Sequence, residues 1–173
     1  MNQDSKLTPE VREDLIRRAW YIHDAAWFAA VRTDFGIEAA NRLNHRAVHT
    51  VGLAEARRLA RALGTPAASD LERVIELVAA GRDVYVAPPL IEMETTQLDD
   101  RSYELRVTTC FVAEHIAKAG MAAEYECAVF DRVDAWHEGL GIPLAEGQLE
   151  PAPCAVANGG ECRRVLHIQP ALS

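Results

Sequence analysis

Cysteine is absent from the first 109 of the 173 residues, and all four, Cys110, Cys127, Cys154 and Cys162, fall in the last 64. Any thiol or metal chemistry therefore belongs to the C-terminal part. Basic residues are also in deficit, 18 Lys plus Arg against 26 Asp plus Glu, a net charge of −8. That sign does not suit a surface that neutralises phosphates, so a nucleic-acid partner is excluded. The longest apolar stretches, such as Ala25 to Val31, fall far short of the roughly 20 residues that cross a bilayer. Met1-Asn2-Gln3-Asp4-Ser5-Lys6 lacks the charged and apolar regions of a signal peptide. The reading is a cytoplasmic chain with no membrane partner, whose cysteines are thiols or metal ligands and not disulfides. There is no repeat, low-complexity segment or Gly/Ser linker. With 49% hydrophobic and 25% charged residues, the composition is that of a globular protein. A single domain over 1–173 is expected, with residues 1–8 flexible, 9–81 helical and 84–168 forming a Cys-containing α+β part.

Thr8-Pro9-Glu10 reads as a helix start, because Thr accepts from an orphan amide, Pro fits the first helical position and Glu complements the dipole. A helix from Pro9 to Asp34 closes at Gly36, and a second from Ile37 to Leu63 closes at Gly64-Thr65-Pro66, giving an antiparallel helical hairpin. Ser69-Asp70-Leu71-Glu72 has the form of a capping box and opens a third helix ending near Gly81. Leu90 to Gln97 and Tyr103 to Thr109 then alternate as strands around Leu98-Asp99-Asp100-Arg101-Ser102, a β-hairpin. Helical spacing returns over Phe111 to Ala119 and Glu124 to Gly139. Leu149 to Ala155 and Cys162 to Ile168 flank Asn158-Gly159-Gly160, which predicts a second hairpin. Helices first and antiparallel strands later make an α+β fold, an N-terminal helical hairpin packed on a small antiparallel sheet with further helices.

Cys154 and Cys162 bracket the Gly-rich turn, and Cys127 comes from the adjoining helix. Three soft donors from three elements suit tetrahedral zinc, with Glu150, Cys110 or water in the fourth place. The other reading is of buried apolar cysteines, since the C-x-x-C of a zinc ribbon is absent. An iron–sulfur cluster on all four cysteines is a further alternative.

Cys127, 26 residues, Cys154, 7 residues and Cys162, with Gly139 and Gly141 between and Gly159-Gly160-Glu161 before the last cysteine, resemble the 4-vinyl reductase-type ligand-binding domain. The resemblance covers Tyr103 to Ile168. Relatives in phenol-sensing bacterial activators hold zinc by three Cys and one Glu, the Glu three residues before the middle Cys. Here that position is Pro151 and the acid is Glu150. The first half, Ala19-Trp20-Tyr21-Ile22-His23-Asp24-Ala25-Ala26-Trp27-Phe28 followed by Phe35-Gly36-Ile37-Glu38-Ala39-Ala40, is similar to bacterial proteins grouped with L-2-amino-thiazoline-4-carboxylic acid hydrolase. These also place cysteines where Cys110 and Cys127 stand. The two resemblances imply a hydrolase or a small-molecule sensor, without fixing a substrate.

Trp20, His23, Asp24 and Trp27 recur at i, i+3, i+4 and i+7 on one helix face. A packed core would exclude an unpaired Asp and His. The stripe either lines a ligand pocket, with Trp20, His23 and Trp27 as substrate contacts, or lies at the helix edge in solvent or beside Arg residues. Cys110, at a strand-to-helix junction, is the candidate nucleophile if a helix N-terminus lowers its pKa, with His115 five residues on as its partner. The bland alternative is a packed thiol. His45, His49 and His137 read as surface or core histidines, and Arg57, Arg58 and Arg61 as a solvated face.

The leading expectation is a hydrolase acting on a C–N bond of a cyclic or amide-like substrate. Zinc would acidify water in an open position, and Asp24, His23 or Glu114 would move protons. The rival is a non-enzymatic sensor or carrier that binds a small molecule behind a structural zinc. Long helical hairpins often bury an apolar face against a copy of themselves, which makes a homodimer one candidate partner state.

Overall fold

The computed structural model describes residues 7–64, 70–142, 144–145 and 150–169. Ser69 of the expected capping box, Leu149 of the expected strand and residues 1–6 lie outside them. The chain divides into two compact units, Met1–Ala40 and Asn41–Ser173. The division falls inside a helix and not at the change from helical to strand-forming sequence near residue 81.

The first unit is built on α1, Pro9–Phe35, and the opening of α2, Ile37–Ala62. Thr8 caps α1 as its sequence suggests, accepting from the Val11 amide at 3.4 Å, and Pro9 occupies the first turn. Only Gly36, at φ 85°, separates α1 from α2. The ion pairs Glu13–Arg17 at 2.5 Å and Asp14–Arg18 at 2.8 Å have the i,i+4 spacing that supports an exposed helix by a few tenths of a kcal/mol, ~0.3 each.

In the second unit the rest of α2 is followed by α3, Leu71–Tyr85; β1, Ile91–Gln97; β2, Ser102–Cys110; α4, Phe111–Lys118; α5, Val129–Leu140; and β3, Cys162–His167. Asp70 is the N-cap of α3, accepting from the Arg73 amide at 2.9 Å. The α+β class holds. The sheet is antiparallel in the order β1-β2-β3, so β1 is an edge strand. The hairpin expected from Leu90 to Gln97 and Tyr103 to Thr109 is present as Ile91–Gln97 with Ser102–Cys110, with a bulge at Glu92/Met93 that leaves Thr108 without a partner in the ladder. Along β1, Ile91 and Met93 are buried while Glu92 and Glu94 face solvent. Glu94 pairs with Arg106 of β2 at 3.1 Å, and the Arg82 guanidinium donates to the Met93 carbonyl at 3.1 Å. Among the described residues no helix is long and apolar enough to cross a membrane.

Three expectations are corrected. The second hairpin does not form. β3 pairs with β2, Cys162 opposite Val107 and His167 opposite Ser102, while residues 150–155 are not a strand. Pro151 and Pro153 lack the amides a ladder needs, and only an isolated bridge joins Pro153 to Glu126. The fifth helix begins at Val129 and not at Glu124. The buried Asn41 side chain holds the preceding segment open, donating to the Glu124 carbonyl at 2.7 Å and accepting from the Glu126 amide at 3.3 Å. Lastly, α3 runs through Gly81 to Tyr85. Gly81 is a packing position and not a cap.

The core joins one face of the sheet (Ile91, Met93, Tyr103, Leu105, Val107, Leu166) to Ala56 of α2, Leu71, Val74 and Val78 of α3, and Val133 and Trp136 of α5. Small residues let α2 and α5 approach closely. A Cβ on Gly52 would stand 2.8 Å from the Ala135 Cβ, and one on Gly139 would stand 2.8 Å from the Ala56 Cβ and 3.0 Å from the Leu53 carbonyl oxygen. A Cβ on Gly81 would meet Leu59 and Trp136 at 3.6 Å, an ordinary contact. Gly139→Val is therefore expected to cost about 1–3 kcal/mol by overpacking. Gly81→Ala is expected to stabilise by up to ~1 kcal/mol through helix propensity. Urea unfolding midpoints check both, and equal effects of the two would refute this account of the crossing.

Candidate functional site

All four cysteines are reduced and belong to the second unit. Cys110 ends β2, where the chain turns into α4, and the Phe111 amide donates to the Leu90 carbonyl at 2.9 Å. Cys162 begins β3 opposite Val107, at the same end of the sheet. Cys127 and Cys154 lie on two segments joined by paired backbone bonds. The Cys127 amide donates to the Ala152 carbonyl at 3.2 Å and the Cys154 amide to the Tyr125 carbonyl at 3.0 Å. A 3₁₀ turn at Val156–Asn158 follows Cys154 and packs on α4. The Asn158 side chain secures that turn by donating to the carbonyls of Ala122 at 2.6 Å and Cys154 at 2.9 Å.

These bonds make the cysteines electrostatic neighbours. The Cys127 thiol donates to the Cys154 sulfur, which raises Cys127 well above the ordinary thiol range, with burial adding to the rise. The same contact lowers Cys154 to about 6, helped against burial by the Ala157 and Val156 amides. Burial, followed by the nearby Cys110 and Cys154, raises Cys162 to about 12. Burial raises Cys110 as well, opposed by the amides of Ala113 and Val112 and reinforced by Cys154. The sequence argument for a thiol lowered by a helix N-terminus is reversed here, because desolvation outweighs the amides.

The expected partner of Cys110 is turned elsewhere. His115 is exposed, its Nδ1 bonds the Phe111 carbonyl at 2.8 Å, and its ring meets Phe111 edge-on at 5.8 Å. Among the described residues no hydrogen bond joins it to Cys110. Glu150 is exposed in coil. On α1, Trp20, His23 and Trp27 are exposed, with Trp20 and His23 stacked at 6.1 Å, and Asp24 is half-buried. A shallow apolar depression lined by Ala56, Leu59, Leu77, Gly81, Tyr85, Trp136 and Leu140 encloses only about 10 Å³. That is room for about one water and far below the roughly 300–1,000 Å³ of ordinary ligand sites.

Among the described residues no group of three or more His, Cys, Asp or Glu side chains stands close enough to hold a metal ion as placed. The donor chemistry nonetheless fits a thiophilic ion. The cluster offers soft sulfurs, and backbone amides at three of them favour the thiolate.

Local sequence signals missed the polar pairs that brace this region. Tyr103, wholly buried, donates to His137 Nε2 at 2.7 Å, while His137 Nδ1 donates to the Val133 carbonyl at 2.8 Å. Arg164 of β3 pairs with Asp134 of α5 at 2.5 Å, both side chains buried. Glu55 of α2, also buried, accepts from Arg132 and, at 2.9 Å, from the Trp136 indole. His45 and His49 of α2 face carboxylates, Asp131 at 3.0 Å and Glu138 at 3.2 Å respectively. Arg57, Arg58 and Arg61 are exposed as expected.

A family model described as a family of unknown function, DUF6125, matches residues 8–135, about three quarters of the chain. The chain belongs to this family. The match takes in Cys110 and Cys127 and stops within α5, before Cys154 and Cys162. No curated protein and no solved structure matches the chain.

Proposed function

We propose that this family member is a cytoplasmic, non-enzymatic small-molecule-binding domain with a structural zinc, of the 4-vinyl reductase-like kind. The observation that supports the reading is the pairing of Cys127 with Cys154 on two hydrogen-bonded segments, with Cys162 near enough to act on both electrostatically. Zinc held there would supply folding energy, as structural sites do. The chain's own residues place the ligands: Asn41 fixes the segment before Cys127, the 125–127 and 152–154 segments brace each other, and Asn158 fixes the turn after Cys154. On this reading the exposed aromatic stripe of α1 is the contact surface for an apolar ligand. The C–N hydrolase reading rests on resemblance, since the burial-raised Cys110 thiol and the outward-turned His115 do not make an activated pair.

Metal analysis with an absorption spectrum on protein purified under reducing conditions tests the proposal. Zinc in about equimolar amount is expected, with no visible band. Chelation is expected to lower stability by at least ~2 kcal/mol, a fall in Tm of roughly 4–8 °C at this chain length. Iron with visible absorption would replace zinc by a cluster. Failure of the reduced protein to take up any thiophilic metal would overturn the reading.

A further inference from the structure

The amphipathic pattern of α1 is inverted. Between Leu15 and Ala30 the covered positions are Arg17, Tyr21, Asp24 and Phe28, two of them charged, whereas Arg18 is the only formal charge among the exposed ones. Ile16 and Ile22 are 71% and 69% exposed, and Trp20 and Trp27 are open as well. A helix on the surface of a monomer turns its charges to water and its apolar stripe inward. We propose that this outer face is covered by a second copy of the chain, α1 packing antiparallel on α1 of the copy about a two-fold axis at His23.

Two features of the face select a copy of itself as the occupant. The first is spacing. Arg12, Ile16, Ala19, His23, Ala26 and Ala30, all exposed, follow one another at alternating steps of four and three residues, the step of a heptad seam. Counted outward from His23 the steps are the same in both directions. A two-fold axis there sets each residue opposite the one equally far on the other side.

The second feature is complementarity under that axis. Ile16 falls on Ala30 of the copy, Trp20 on Ala26 and Trp27 on Ala19, a large side chain on a small one each time. The alanines allow the helix axes to approach to roughly 8–10 Å. At the two ends of the seam Arg12 falls on Asp34, opposite charges on both sides of the axis. Neither has an ion-pair partner among the described residues, whereas Glu13 and Asp14 are engaged by Arg17 and Arg18 within the helix. Leu15 and Ile22 widen the contact on one flank. On the other, Trp20 of each chain stands beside Trp27 of its copy, so the apolar contact surface proposed above becomes one made by two chains. Trp20 and His23 are already stacked at 6.1 Å, which leaves less side-chain freedom to lose on pairing. The pairing needs no metal, so its test is independent of the zinc site.

Sedimentation equilibrium of the full reduced chain measures the association, and a dimer is expected in the micromolar range. Ala26→Glu sets a carboxylate against Trp20 of the copy on both sides of the axis and is expected to weaken the dimer at least ~100-fold. Its far-UV circular dichroism is expected to match the wild type, because Ala26 is exposed in the single chain. Arg12→Asp is expected to weaken the dimer about tenfold, and Arg12→Asp/Asp34→Arg to restore it. These two positions are about 33 Å apart along one helix, so the rescue acts only between chains. Mild oxidation reads the direction of packing. His23→Cys is expected to yield a disulfide-linked dimer that the wild type does not form, and Arg12→Cys to yield none, because the axis holds the two copies of residue 12 about 33 Å apart. A chain that stays monomeric, a dimer indifferent to Ala26→Glu, or a charge swap that restores nothing overturns the proposal. Cross-linking through Arg12→Cys overturns the antiparallel arrangement.

Discussion

Asp134→Ala is expected to destabilise the protein by about 3–5 kcal/mol, because it removes the carboxylate that faces the buried Arg164 guanidinium. The two side chains are 7% and 5% exposed and meet at 2.5 Å. Burial pushes the Asp134 carboxyl upward against the pull of Arg164, and its second oxygen, Oδ2, has no hydrogen-bond partner among the described residues. The pair is therefore costly to break without being worth much as a pair. The double variant Asp134→Leu/Arg164→Met removes both charges and is expected to recover most of the loss. Urea unfolding of both single variants and the double variant measures the difference. A double variant no more stable than Asp134→Ala would refute the buried-charge explanation.

Acid is expected to weaken the fold by about 3 kcal/mol between pH 6.5 and pH 4, well above the loss of strongly bound carboxylates. Burial depresses His137 to about 4 from an ordinary 6.5, so in this window the unfolded chain binds a proton that the folded one refuses. The unfolded state holds more protons, and stability falls as pH falls. His45 has the opposite sign. Its contact with Asp131 raises it, so its contribution is present below pH 6.5 and lost as pH rises through its folded pKa, leaving the acid window to His137. Asp134, raised by burial, takes up a proton in the folded state and opposes the loss at the bottom of the window. The check is unfolding free energy against pH for the wild type and for Tyr103→Phe/His137→Leu, which removes both partners of one buried bond. A slope that survives in the double variant would assign the acid loss to other groups.

Local chemistry made parts of this molecule readable in advance. Thr8 and Pro9 start a helix because they satisfy and omit amides that a first turn cannot pair. The β1–β2 hairpin follows from two alternating runs around Asp99-Asp100. The cysteines were legible as a group from their confinement to the last 64 residues, whereas the placement of Cys162 beside the end of β2 depends on β3 adding to β2, a pairing the Asn158-Gly159-Gly160 turn concealed by suggesting a hairpin. Gly81 was misread because an interior glycine that admits Trp136 has the same letter as a helix cap. Asn41, Tyr103–His137 and Asp134–Arg164 left no trace, since each joins residues 30 or more positions apart and no periodicity encodes a partner at that range. The helix N-terminus at Cys110 suggested an acidic thiol, whereas desolvation decides its titration, and burial is not visible in a residue's neighbours along the chain.

The free edge of β1 bears on how this protein behaves when crowded. An edge strand of a small sheet is a template for strands from other molecules, the usual route to self-association and fibrils. Here, antiparallel pairing of two such edges would set a row of glutamates, Glu92 and Glu94, against its own image, and like charges facing across strands repel. The Arg82 guanidinium already occupies the Met93 carbonyl that an incoming strand would need. The same charges that contribute little to the folded state therefore act as a guard against unwanted company, and substitutions that neutralise them would be felt first in the concentration at which the protein stays in solution.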